Sequence, residues 1–550
     1  MDFNTKLNIL LFDAIKQAGL NVDPSSFTFA IDIPKDNKNG DYATNVALQI
    51  SKIVKGNPKA IAEQIKAKIE LEKNGLEKVE IAGPGFINFF VSKTMLADNL
   101  KEILKQASDY GKTKLAETQS YNVEFISANP TGRLHLGHAR QAALGDSLCR
   151  ILTAAGYKVT REYYVNDLGS QVQNLAVSVR ARYLELFGLE AKIPEDGYFG
   201  EDIKAVAKDL QRKFGDKFKT DESKEALKQI RDFAIDAELN IIKQDLKDYR
   251  VEMDLFSSES AIKERGMVEQ TLQILKEVGS LYEADGATFF KSTQFGDDKD
   301  RVLIKSDKTY TYLTPDIAYH VDKLSRGYDY LVDLLGADHH GYINRLKAAI
   351  MALGHDKNKL EVDIVQMVRL IKDGAEYKMS KRAGNAVTLA DLVEEVGVDA
   401  ARYFFVSRSG DSHFDFDISL AKTYSNDNPV YYAQYAHARM NSIITQAAKI
   451  DSSKVEKFDL LVTNQEVNLI KHLLEFKQVI LDTAKMREPY QITIYIQKIA
   501  QLFHSFYNEC RVVDENNLEL SAQRLLLVKA TKIVLANALN LIGVNAPQSM

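Results

Sequence analysis

His135 and His138 bracket Leu136 and Gly137 at the point where an apolar run gives way to residues at helical spacing. A helix beginning there offers unpaired backbone N–H groups and the positive end of its dipole to an anion. Gly137 permits close approach, and the two imidazoles can donate to phosphate oxygens. That chemistry suits ATP, although two histidines beside a turn are also an ordinary surface or core pattern. A second constellation, Lys378, Met379, Ser380, Lys381 and Arg382, is flanked by Gly374 and Gly384. Two lysines and an arginine on a glycine-bounded loop can close over a triphosphate and stabilise the charge that builds as pyrophosphate departs. The same run read alone is a solvated basic loop.

These residues need a scaffold. The stretch from Tyr121 to Pro130 reads as a strand, Thr131 to Arg133 as a turn, and Leu144, Leu148, Ile151, Leu152 and Ala155 as one face of a helix that stops at Gly156. Alternation resumes at Val159, Arg161, Tyr163 and Val165. Strand, helix and strand predict a right-handed βαβ unit and a Rossmann-type parallel sheet. Tyr330 to Leu335 reads as a buried strand ending at Gly336, which puts Asp338 and His339 at its carboxyl end, the edge where such sheets bind ligands. The fold expected is α/β in three parts. Residues 1–115 form a small mixed α/β unit, residues 116–425 a catalytic domain with a charged, helical insertion over about 170–300, and residues 426–550 an all-α bundle.

Bulk properties narrow the function further. A chain of 550 residues exceeds one hydrophobic core, and a hydrophobic fraction of 45% fits ordinary globular packing. The net charge of −5 gives no global affinity for nucleic acid, so any RNA contact is local. Cys149 and Cys510 are the two cysteines; without CxxC spacing they predict neither a disulfide framework nor a structural zinc site. The segment MDFNTKLNIL lacks the basic start and long apolar run of a secretory signal, and the most apolar stretch, Leu525 to Val544, is broken by Lys529 and Lys532. A cytoplasmic protein without a membrane span is the expectation.

The ordered pair of HxGH and KMSK-type runs, with a GxD turn between them, resembles the signature of class I aminoacyl-tRNA synthetases. The flanking sequence narrows this. VEFISANPTGRLHLGHAR, YYVNDLGSQ, TYLTPDIAYH, LLGADHHGYI, EYKMSKRAGN and NPVYYAQYAHAR all look like arginyl-tRNA synthetase, and GDYATNVAL and IAGPGFINFF are similar to that family's N-terminal domain. Leu136 in place of the commoner isoleucine, and Arg382 in place of serine, depart from the general pattern without removing a needed group.

The resemblance implies activation of L-arginine with ATP and Mg²⁺, then transfer to the 3′ end of tRNA(Arg), with tRNA needed for activation and the enzyme a monomer. His135, His138, Lys378 and Lys381 would be catalytic, and Gly137, Gly336, Asp338, Met379 and Ser380 would complete the ATP site. A guanidinium wants carboxylates in a planar, bidentate arrangement, for which Glu124 and Asp316 are candidates. Motif matching adds Tyr312 beside them, and Asn129, His135 and His339 toward the amino-acid main chain; Asp338 is open between ribose and substrate. It further implies that the C-terminal bundle meets the anticodon and the N-terminal unit the tRNA elbow. Tyr431 and Tyr435 could stack on RNA bases or equally form an aromatic core stripe. Small nucleotidyltransferases with HxGH would account for the histidines but for neither the chain length nor the bundle, and a non-enzymatic tRNA-binding scaffold would be expected to have lost the signatures.

Overall fold

Residues Ser120–Glu124 form strand β1, Lys158–Val165 β2, Leu255–Ser258 β3, Tyr330–Gly336 β4 and Leu360–Val365 β5. They build a parallel sheet in the order β5-β4-β1-β2-β3. In this computed structural model, residues 3–23, 27, 29–32, 34, 37–377 and 387–550 are described. The chain leaves β1 through helix α1 (Leu136–Ala154) to its neighbour β2, whereas β4 pairs on the other side of β1. The connections therefore diverge between β1 and β4, and a crevice opens at the carboxyl ends of these two strands. The expected Rossmann-type sheet is present, and both the HLGH turn and the Gly336 segment lie at that edge.

Two features differ from the expectation. Strand β1 ends at Glu124 instead of running to Pro130, because Ile126 and Ser127 take left-handed backbone angles (φ 74° and 43°) that no ladder accommodates. The stretch 170–300, expected to be helical, contributes helices Ser170–Glu185, Glu201–Phe214 and Lys224–Asp248, but it also holds β3. A three-stranded antiparallel sheet follows over Leu281–Ala284, Ala287–Phe290 and Arg301–Ile304. Strands of four residues are too short for alternation to show above the charged background.

The chain divides into two compact units, one of residues 1–107, 440–474 and 501–533, the other of residues 108–439, 475–500 and 534–550. The second holds the parallel sheet. The first holds a four-stranded antiparallel sheet, Ile31–Asp32, Tyr42–Thr44, Phe86–Val91 and Leu76–Ala82 in spatial order, whose core includes Leu7, Leu11, Ile50, Ile65 and Phe89. It also holds Glu466, fully buried and paired with Arg524 (2.7 Å). The C-terminal region is helical from Pro429 onward, with helices over Pro429–Gln446, Asn464–Leu474, Phe476–Met486, Tyr490–Glu509 and Leu518–Leu541.

Candidate functional site

His135 is the N-cap of α1. Its Nδ1 accepts from the N–H of Gly137 (3.1 Å), and Nδ1 of His138 accepts from the N–H of His135 (3.3 Å), so the two rings close a capping box and stack at 3.6 Å. A Cβ on residue 137 would lie 3.0 Å from the His135 ring, which is why glycine stands there. An imidazole whose Nδ1 accepts carries its proton on Nε2, as a donor. Desolvation lowers His135, and it pushes His138 down to about 3 with help from the charge of His135. Both rings are therefore neutral donors at physiological pH, set at a positive helix end.

The stretch Lys378, Met379, Ser380, Lys381 and Arg382 lies outside the described residues. Its flanks are placed. Tyr377 N–H donates to Leu370 O (2.8 Å), Leu389 N–H donates to Leu134 O (2.7 Å), and Thr388 bridges His135. The chain that leaves the basic stretch thus returns to the residue preceding HLGH.

At the crevice, Gly336 leaves room for Asp338, whose Oδ1 would be 2.7 Å from a Cβ on residue 336. The Asp338 side chain is exposed and sits 3.4 Å from Nε2 of the half-exposed His339. Asn129 donates to Gln171 (2.5 Å), which anchors the loop after β1 to the first insertion helix.

Glu124 and Asp316 come together. Glu124 is buried at the end of β1. Its Oε1 accepts from Ser127 (2.9 Å) and its Oε2 is paired with the fully buried ammonium of Lys323. Asp316, in the first turn of helix α3 (Leu313–Ser325), is half-buried. Burial pushes its carboxyl up to about 7; the nearby Glu259, Glu124 and Asp333 add to the rise and His320 opposes it. Among the described residues nothing donates a hydrogen bond to the Asp316 carboxylate. Tyr312, just ahead of α3, is 85% exposed, and both it and Asp316 lie close enough to Tyr342 to help burial raise that hydroxyl. Tyr431 and Tyr435 stack at 5.9 Å on their helix, with the exposed ring of Tyr424 edge-on to Tyr431.

Several site residues escaped the sequence reading. Glu259 opens helix α2 (Glu259–Glu264) directly after β3, where it accepts from the Tyr164 hydroxyl; burial raises its carboxyl. No motif marks it. Lys323 and His320 had a legible signal, since Asp316, His320 and Lys323 fall at i, i+4 and i+7, one face of a helix. The described residues contain no group of three His, Cys, Asp or Glu side chains able to hold a metal, and no helix among them is long and apolar enough to cross a membrane.

A parallel sheet that carries a histidine-capped helix N-terminus at its switch point, with a cluster of carboxylates at the neighbouring strand ends, has the architecture of the nucleotide-binding half of class I aminoacyl-tRNA synthetases. Comparison with known proteins agrees. The family model "tRNA synthetases class I (R), catalytic domain" matches residues 99–441, "Arginyl tRNA synthetase N terminal domain" residues 5–91, and "DALR anticodon binding domain" residues 433–550. An arginine–tRNA ligase of Bacillus subtilis is 50% identical over 545 residues, 98% of this chain and 97% of that protein, and arginine–tRNA ligase 1 of Halalkalibacterium halodurans is 50% identical over 539 residues with the same coverage. A solved structure described as a putative arginyl-tRNA synthetase from Campylobacter jejuni superposes with a TM-score of 0.77 at 40% identity, covering 84% of this chain and 100% of that one. The arginyl-tRNA synthetase of Thermus thermophilus shares the fold at a TM-score of 0.75 and 22% identity, with both chains fully covered. The chain belongs to the arginyl-tRNA synthetase family, which makes it a ligase that activates arginine with ATP and charges tRNA with it.

Proposed function

We propose that this reaction runs at the carboxyl edge of the parallel sheet, with the HLGH turn and the 378–382 stretch as the nucleotide cradle and the Glu124–Asp316 pocket as the seat of the arginine side chain. The observation that carries the reading is Asp316, a carboxylate unmet by any described donor, beside Glu124 and Glu259. A guanidinium keeps its charge and offers five in-plane donors to such a group. Lysine offers a single strongly hydrated ammonium and leaves acceptors unmet, which gives rejection without hydrolytic editing.

In this scheme the carboxylate of arginine attacks the α-phosphate of ATP, forming arginyl-adenylate and releasing pyrophosphate. No side chain forms a covalent bond. The neutral Nε2–H groups of His135 and His138 and the α1 N-terminus orient phosphate oxygens, and Lys378 and Lys381 stabilise the leaving pyrophosphate. Gly137, Gly336, Met379 and Ser380 line the nucleotide, with Asp338 at its ribose or the substrate. Mg²⁺ bound with the triphosphate would neutralise part of its charge. Tyr312 closes over the side chain, and Asn129, His135 and His339 hold the amino-acid main chain. The enzyme acts as a cytoplasmic monomer, residues 426–550 meet the anticodon of tRNA(Arg) with Tyr431 and Tyr435 as stacking surfaces, and residues 1–115 meet the elbow.

Isotope exchange between ATP and pyrophosphate, run with each standard amino acid with and without tRNA, tests the scheme. Exchange with arginine that appears when tRNA is added is expected. Exchange with another amino acid, or undiminished arginine exchange in Asp316→Asn, would refute the pocket assignment.

A further inference from the structure

Three carboxylates stand in a row across the sheet. Asp333 of β4 is in register with Glu124 of β1, and Glu124 with Glu162 of β2. All three are buried, and like charges aligned across strands repel. Helix α3 lays cations over them: Lys323 reaches both Glu124 and Asp333 (2.7 Å to the latter), and Arg326 reaches Glu162 (2.9 Å). His320 bonds Asp333 through Nε2 (2.9 Å), and its Nδ1 lies 2.8 Å from the backbone carbonyl of Asp316. The Lys323 ammonium also sits 4.5 Å from the Tyr319 ring centre. Its side chain is wholly inaccessible, so it cannot touch substrate.

We propose that Lys323 is a positioning residue for arginine recognition: by tying Glu124 to Asp333 it fixes the Glu124 carboxylate in place and sets how much negative charge the pocket floor presents to Asp316. The inference rests on the arginine pocket assigned above. Asp316 interacts with Glu124 from β1, Tyr164 from β2, Glu259 from α2, His320 from its own helix, Asp333 from β4 and Tyr342 from the segment after β4; Lys323 reaches Glu124 and Asp333, and Arg345 lies against Tyr342. Of the cations in this set, Lys323 is the one clamped directly between two of the acids. Without it, only His320 offsets Glu124 and Asp333 at Asp316. The proton on Asp316 is then held more tightly, and the cationic substrate must displace it at a cost that falls as pH rises.

The experiment measures KM for arginine and for ATP in tRNA charging by the full chain between pH 6 and 9, in wild type, Asp316→Asn, Lys323→Met and Lys323→Met/Asp333→Asn. The double variant removes one charge of each sign and guards against misfolding of the single one. For Lys323→Met, KM for arginine should rise on the order of fivefold to tenfold at pH 7, as expected for about one unit of pKa displacement, and recover toward pH 9, with KM for ATP little changed. The double variant should fall between it and wild type. A Lys323→Met profile parallel to wild type, or equal losses for arginine and ATP at every pH, overturns the proposal. An unchanged arginine KM in Asp316→Asn instead overturns the pocket assignment itself, so the two failures are told apart.

Discussion

A carboxylate that no protein donor meets, as at Asp316, costs folding free energy when ionised and takes up a proton instead. Its value of about 7 against an ordinary 3.8 fixes two signs. For binding, KM for arginine should fall as pH rises through about 7, because the guanidinium needs the ionised form. For stability, the folded-state value is the higher one, so the contribution favouring the fold is complete below about pH 4 and is lost as pH rises through 7. Asp316→Asn should therefore unfold at higher urea than wild type above pH 7, by about 1 kcal/mol after allowance for water access, while its arginine KM rises about tenfold to hundredfold. A variant less stable than wild type at pH 8 would contradict this. The histidines behave oppositely: with His138 down at about 3, charging activity between pH 6 and 8 should show no titration assignable to that ring.

Helix Lys224–Asp248 of the insertion carries Glu238, fully buried with both carboxylate oxygens lacking a hydrogen bond among the described residues. Burial pushes it up to about 8, Asp202 and Asp245 adding and Arg133 opposing. The sign matches that of Asp316: stability present below about pH 4.5 is lost as pH rises toward 8. Glu238→Gln should gain about 1–2 kcal/mol at pH 8 and nothing at pH 4, read from urea melts at the two values. Helix α1 shows the reverse constraint. Its Gly145 lies where a Cβ would stand 2.3 Å from the Phe125 ring, so Gly145→Ala must push Phe125, and the neighbouring Glu124, out of place. It should cost about 1–3 kcal/mol and raise KM for arginine, and a stable variant with unaltered kinetics would show that the contact is slack.

At the scale of the molecule, the unit with the parallel sheet is braced by a buried guanidinium, with Arg150 joining the same segments beside it. Arg402 pairs with Asp146 of α1 (2.6 Å) and donates to the carbonyls of Tyr249 (3.0 Å) and Ile542 (2.9 Å). It thereby ties the helix that His135 caps to the end of the insertion and to the C-terminal segment. Gly543 turns with φ +67°, and a Cβ there would meet the guanidinium at 2.4 Å. Arg402→Met leaves Asp146 to Arg150 (2.7 Å) and Arg161 (3.5 Å) but takes the donor from the carbonyls of Tyr249 and Ile542, and should lose about 1–3 kcal/mol, with sheet and C-terminal segment losing hydrogen-exchange protection together. Loss confined to the C-terminal segment would mean the pin is not cooperative.

The HLGH cap, the runs of β2 and β4 and the Pro429–Gln446 helix were legible because each is a local pattern whose residues lie within a few positions of one another. The pairing of Glu124 with Asp316 was reached through the chemistry of a guanidinium and a family likeness, and the strand end at Glu124 was missed because left-handed angles at Ile126 and Ser127 leave no periodicity. Glu124 meets a lysine 199 positions away because parallel register aligns it with Asp333 and helix α3 crosses above them. Register and crossing are products of packing between distant segments, so the identity of the chemistry was written in the chain, while the charge state of its acidic pocket was decided by the fold.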